Sequence, residues 1–112
     1  MSNLNADQFH AQLEVHADSS GYAVAKHPDH GYVGEMVPLP SGEVGNIEVK
    51  KPFRRLGVAT RLWEAAHDAG ATLTHSPLRT PAGDRWAKSV GGDLPPKMTT
   101  KQYEQHLNGG HR

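Results

Sequence analysis

The hydrophobic period of this chain changes at Gly57, and no other feature constrains the fold as tightly. Before it, Val44 to Lys51 reads as a strand in which Ile47 and Val49 share one face. After it, from Val58, Ala59, Leu62, Trp63, Ala66 and Ala69 fall at helical spacing, with Arg61, Glu64 and Asp68 off the stripe and Gly70 at the C-terminal cap. The two elements are joined by Arg54-Arg55-Leu56-Gly57-Val58-Ala59. A strand therefore feeds through a basic, glycine-containing turn into an amphipathic helix. The first turn of a helix has N–H groups without intrahelical partners and the positive end of the dipole, so it attracts phosphate oxygens. Gly57 lets the backbone approach closely, Ala59 keeps the next turn small, and Arg54 and Arg55 add positive charge at the rim. Val49 to Gly70 thus predicts a pocket for a phosphate-bearing ligand.

Upstream, Phe9 to Asp18 alternates apolar and polar residues, which predicts a strand; a helix from Asn5 is the rival, since Phe9 and Leu13 are also four apart. Ser19-Ser20-Gly21 reads as a turn, followed by strand candidates at Tyr22 to Lys26 and Tyr32 to Val37. The first half is then an antiparallel meander of about four strands. Downstream, Ala71 to His75 returns to strand character. Thr80-Pro81 predicts the cap and first residue of a second helix that carries Ala82, Trp86 and Val90 and ends at Gly91-Gly92. Beyond Asp93 a polar tail follows, in which Thr99-x-x-Gln102 opens a short helix packing Tyr103 and Leu107, and Gly109 to Arg112 is expected to fray.

At 112 residues the chain fits one domain, with a core at about 9–92 and a tail at 93–112. The expected class is α+β, a mainly antiparallel sheet flanked by two helices. No cysteine is present, so no thiolate metal site or disulfide exists and a reducing compartment is expected. No apolar run reaches the length of a membrane helix, and Met1 to Asp7 lacks the regions of a signal peptide, which together predict a soluble, cytoplasmic protein. The formal net charge of +0 conceals an asymmetry. Residues 1–49 hold one Lys against seven acids, whereas 50–61 hold Lys50, Lys51, Arg54, Arg55 and Arg61 with no acid. So local a concentration favours a small anion over duplex nucleic acid, which the acidic first half would repel.

The stretch Ile47 to Leu62 resembles the acetyl-CoA-binding segment of the GNAT N-acetyltransferase superfamily, whose pattern is a strand, then Q/R-x-x-G-x-G/A, then a helix. Arg54, Gly57 and Ala59 stand at the three marked positions. The resemblance implies that Arg54, Arg55, Leu56, Gly57, Val58, Ala59 and Thr60 hold the coenzyme pyrophosphate and that the main chain of Val49 pairs with the pantetheine arm. A looser match, to N-x-x-A-x-x-F-Y-x-x-x-G, puts Thr80, Gly83, Trp86 and Ala87 at the marked positions before Gly91. The implied fold is a shortened GNAT domain over about residues 22–92. Two departures bear on activity. The family's tyrosine, often the acid for the departing thiolate, is Ala87, which cannot donate a proton. The two helices usual between the first two strands are reduced to Ser19-Ser20-Gly21.

Acetyl transfer needs a base for the acceptor amine. Glu48, alternating away from Ile47 and Val49, and His75, with an imidazole suited to either acid or base work, are the catalytic candidates. The competing assignments are an exposed strand carboxylate and a capping or surface histidine. His27-Pro-Asp-His30 has ligand-like spacing, but no second cluster completes a tetrahedral set, so no metal is expected. Arg79 with Thr80, Gly83 and Asp84 forms either a polar rim beside the pocket or a helix cap plus an Arg79–Asp84 pair. Trp63 and Trp86 suit opposed helix faces against one sheet. The expected function is acetyl-CoA (acyl-CoA) binding with N-acetyl transfer to an unidentified amine; the alternative is a non-catalytic interaction or structural module that has lost the acceptor site. The missing pocket wall leaves a homodimer, in which a second subunit supplies it, as an open option.

Overall fold

A computed structural model describes residues 6–45, 47–92 and 94–109. Its order is α1 (Ala6–Gln12), β1 (Glu14–Ala17), β2 (Ala23–His27), β3 (Gly31–Met36), β4 (Glu43–Val44), β5 (Ile47–Val49), a 3-10 turn (Lys51–Phe53), α2 (Val58–Asp68), β6 (Thr74–His75), α3 (Pro81–Val90) and α4 (Thr100–Gly109). Strands β1-β2-β3-β5 form an antiparallel sheet in that order, and β4 and β6 form a separate parallel pair. The mixed helix and antiparallel sheet expected from the sequence is present, with four α-helices among the described residues where two flanking helices and a short third were expected. None of the described helices is long and apolar enough to cross a membrane.

Helix α2 lies across one face of the sheet and touches β1, β2, β3 and β5. Leu62, Trp63 and Ala66 of the expected stripe are buried, together with Val58, and meet Ala23, Ala25, Val33 and Met36 from the strands, whereas Ala59 is half-buried and Ala69 exposed. Leu62 is fully buried, so truncating it to Ala would cost about 2–5 kcal/mol. Both later helices start where the sequence places them. The Thr80 side chain accepts from the Gly83 N–H at 3.0 Å, and Thr99 and Gln102 exchange capping bonds of 2.9 and 3.1 Å. Tyr103 is buried and its hydroxyl donates to Glu43 Oε2 at 2.5 Å, docking α4 on β4. The expected contact of Leu107 and the fraying of residues 110–112 fall outside what the structure describes.

Three expectations are corrected. Phe9 to Asp18 is not one strand, because α1 occupies its first part and pairing begins at Glu14. Spacing of four satisfies both periods over Phe9 to Leu13, and the helical one wins since it buries both side chains. In α1 Phe9 stacks on His27 and Phe53 at 5.1 and 5.4 Å between ring centres. Val44 to Lys51 is not a continuous strand, since pairing changes partner between Val44 and Ile47. Ala71 to His75 contributes only Thr74 and His75 to a strand.

Candidate functional site

The change of partner within Glu43 to Val49 opens a cleft. At its start this segment pairs with β6, Thr74 N–H donating to the Gly42 carbonyl at 3.0 Å and Ser76 N–H to that of Val44 at 3.3 Å. At its end it pairs only with β3, in the register Gly34↔Val49. Gly34 permits that approach, as a Cβ there would stand 2.5 Å from the Glu48 carbonyl oxygen. The two strands therefore diverge from a vertex near Val44 and His75, and a cleft of about 960 Å³ fills the gap. One wall is Ile47 to Lys50 with the turn into α2; the other is His75, Ser76, Leu78 and the first turns of α3.

Backbone groups face this cleft for definite reasons. Lys50 N–H donates to the Val33 carbonyl at 2.9 Å, which makes Val33 and Lys50 a hydrogen-bonded pair. By antiparallel alternation, Val49 is a non-bonded position, and its N–H and carbonyl face the free edge of β5. The carbonyl accepts from Arg54 Nε at 3.0 Å, which folds this guanidinium over the strand end. The first intrahelical bond of α2 runs from Arg61 N–H to the Gly57 carbonyl at 3.1 Å. Gly57 is the N-cap with φ of 79° and no side chain caps the helix, so the amides of Val58, Ala59 and Thr60 have no intrahelical partner. Arg55 enters this turn with φ of 65°, a left-handed conformation costly for a residue with a Cβ.

Of the residues implicated by sequence, Glu48, Val49, Arg54, Arg55, Gly57, Val58, Ala59, Thr60 and His75 all border the one cleft. Leu56 does not; it is half-buried against the core, and its carbonyl accepts from His10 Nε2. Exposed Lys50, Arg54 and Arg55 outnumber Glu48 at the mouth, so the field favours an anion. Arg79 is spent locally, donating from Nε to Asp84 at 2.9 Å and from Nη1 to the Ser76 carbonyl at 2.8 Å. Lys88 and then Arg79 hold the Asp84 carboxyl below its usual range. Tyr32, at the same mouth, has its phenol pushed up by burial and by Glu35.

His75 is not a surface residue, but it does cap a helix, since its ring bonds the carbonyl of Gly91 at the C-terminal end of α3. At 2% exposure it stacks face to face on Trp63, 4.2 Å between ring centres, and Trp86 meets both rings edge-on. The two tryptophans thus converge on His75 instead of occupying opposed faces, and Trp86 Nε1 donates to Thr60 Oγ1 at 3.1 Å, tying α3 to the first turn of α2. His75 Nε2 donates to the Gly91 carbonyl at 2.7 Å. That bond fixes the tautomer and leaves Nδ1 as an acceptor. His75 is also one of the residues that line the cleft. Ala87 is buried at 1% exposure, its methyl closing the wall between α3 and the core.

The histidines with ligand-like spacing do other work. His27 is buried against Phe9, and its Nδ1 accepts from the Asp29 N–H at 3.1 Å. Among the described residues no group of three or more His, Cys, Asp or Glu is placed to hold a metal ion. A second hollow of about 880 Å³ lies on the other side of Trp63 and is bordered by Val15, Asp68 and Leu73, but its cation, Arg61, is engaged with backbone carbonyls. Compared with known families, curated proteins and solved structures, the chain matches none.

Proposed function

We propose that the cleft binds a coenzyme A thioester and that the protein transfers its acetyl (acyl) group to an amine, on a shortened form of the GNAT fold that the sequence resembles. The observation that carries the reading is the divergence of the two strands directly over an uncapped helix start. It supplies a slot for a flexible arm, a strand edge with a free Val49 N–H, and three unpaired amides beside three cations. An elongated ligand with a diphosphate at one end matches that sequence of groups.

In the transfer, the amine nitrogen attacks the thioester carbonyl, forming the C–N bond as the C–S bond breaks. The proton lost by nitrogen passes to His75 Nδ1, or through water to Glu48, and the departing thiolate is reprotonated from the imidazolium or from water. The fixed tautomer of His75 supports the base role. Trp63 stacked on its face holds the ring in place. A second reading, a non-catalytic module that retains the pocket, is supported by the buried Ala87 methyl and by the tight Asp18-to-Tyr22 connection, which leaves no helices between β1 and β2.

A thermal-shift titration with acetyl-CoA tests the reading, as a ligand bound only by the folded state stabilises it by about 2.7 kcal/mol at a hundredfold excess over Kd. Arg54→Glu and Gly57→Glu should reduce the shift. No shift at millimolar acetyl-CoA would defeat the coenzyme claim. Binding without thiol release across a broad amine panel would favour the module.

A further inference from the structure

The half-buried imidazole of His10 lies behind the turn into α2, not in the cleft. Its Nε2–H donates to the Leu56 carbonyl, 46 residues away in sequence. A trans peptide points its carbonyl and its amide in opposite directions. With the Leu56 oxygen drawn back toward α1, the Gly57 N–H on the same peptide is turned the other way, toward the face on which Gly57 borders the cleft. The same ring closes the space behind the glycine, for a Cβ at Gly57 would stand 3.0 Å from His10 Cε1 and Nε2.

The tie is reciprocal. Arg61, one turn into α2, donates from Nη1 to the His10 carbonyl at 3.2 Å and from Nη2 to that of Leu13 at 3.4 Å. Its own amide closes the first helical bond on Gly57. Each element thus holds the other's end: a side chain from α1 fixes the peptide that opens α2, and a side chain from α2 fixes one carbonyl in α1 and one just beyond it. The anchorage of α1 itself comes from buried Phe9 and Leu13, so the His10 bond is not what keeps the helix docked.

Resting on the coenzyme reading above, we infer that His10 is a positioning residue for diphosphate recognition, locking the Leu56–Gly57 peptide so that the Gly57 amide faces the pyrophosphate before the ligand arrives. A donor oriented in advance spares the ligand the cost of ordering it. His10 touches no ligand and acts only through the Leu56 carbonyl. A latch that merely held α1 would weaken every ligand alike; a device that aims one amide weakens only ligands carrying the diphosphate.

The test uses the full chain as wild type, His10→Phe, His10→Asn and His10→Gln. Each is titrated calorimetrically with acetyl-CoA and with S-acetylpantetheine, which has the thioester arm but no pyrophosphate. The Gly57 amide is followed by NMR as inorganic pyrophosphate is added. His10→Phe and His10→Asn, whose amide is too short, should bind acetyl-CoA about tenfold more weakly, the loss of one charge-assisted bond. Both should leave S-acetylpantetheine within about twofold and flatten the Gly57 response, while His10→Gln, whose Nε2 reaches the same carbonyl, recovers most of the affinity. Equal losses for both ligands, wild-type acetyl-CoA affinity in a folded negative variant, or no recovery by Gln would overturn the inference and leave the coenzyme site standing. A wild type that binds neither acetyl-CoA nor pyrophosphate would sink the coenzyme reading, and this inference with it.

Discussion

Replacing Arg55 by glycine should make the protein more stable and its cleft a poorer anion site at once. Arg55 has φ of 65°. Holding an L-residue there costs roughly 1–2 kcal/mol, a cost glycine does not bear. Glycine in turn loses about 0.5–1 kcal/mol through the freedom it gains when unfolded. The expected net gain is about 0.5–1 kcal/mol, which for a domain of this size raises Tm by about 3 to 6 °C. The guanidinium is exposed at the cleft mouth and its attraction for phosphate is screened, so the lost charge should weaken acetyl-CoA binding about two- to fivefold. The salt dependence of that binding should flatten in parallel. Arg55→Ala separates the effects, because it keeps the strained backbone and loses only the charge: the same affinity loss is expected without the gain in Tm. Calorimetric melts and titrations at two ionic strengths provide both readouts. An unchanged or lower Tm for Arg55→Gly would refute the strain argument, and unchanged affinity would remove Arg55 from the site.

Other substitutions probe the remaining parts. His75→Phe keeps the ring stacked on Trp63 but removes Nδ1, so acyl transfer should fall by about a hundredfold or more with acetyl-CoA affinity little changed, as read by steady-state kinetics and calorimetry. Ala87→Tyr forces a phenol into a buried wall and should destabilise the fold by about 1–3 kcal/mol in urea denaturation without raising the transfer rate. Tyr103 has its phenol pushed up, first by its hydrogen bond to Glu43 and then by burial. The folded state therefore holds this proton where the unfolded chain loses it, so its contribution to stability is full below pH of about 10 and is lost as pH rises through the higher folded value. Tyr103→Phe should reduce that alkaline loss in urea denaturation between about pH 9 and 11, leaving the part due to Tyr32.

What the sequence disclosed depended on how local the cause was. The start of α3 at Thr80-Pro81, the capping pair Thr99 and Gln102 and the Leu62, Trp63 and Ala66 part of the α2 stripe are set by neighbours within one turn, and these were legible. The residues of the turn into α2, Leu56 excepted, also fell on one cleft, because a strand, a turn and a helix start are contiguous in the chain. The misreadings lie where distant partners decide. Phe9 to Leu13 fits two periods, and only Phe53 and His27 choose the helix. The exchange of partners between Val44 and Ile47 depends on β6, some 30 residues on, and the alternation of Ile47 and Val49 runs past it without a mark. The bond of His10 is likewise invisible along the chain, since its partner is Leu56. The glycine at position 57 marks a turn in the sequence, but that His10 packs against it is seen only in the structure.

The width of the cleft hangs on little material. Two paired residues on each of β4 and β6 form the vertex, and one of them, Glu43, is also the residue that Tyr103 grips. The C-terminal helix, which the sequence presents as a polar appendage, is in mechanical terms the clamp on a short hinge. A side chain 46 residues beyond Gly57 thus holds the vertex from which the two walls of the cleft part.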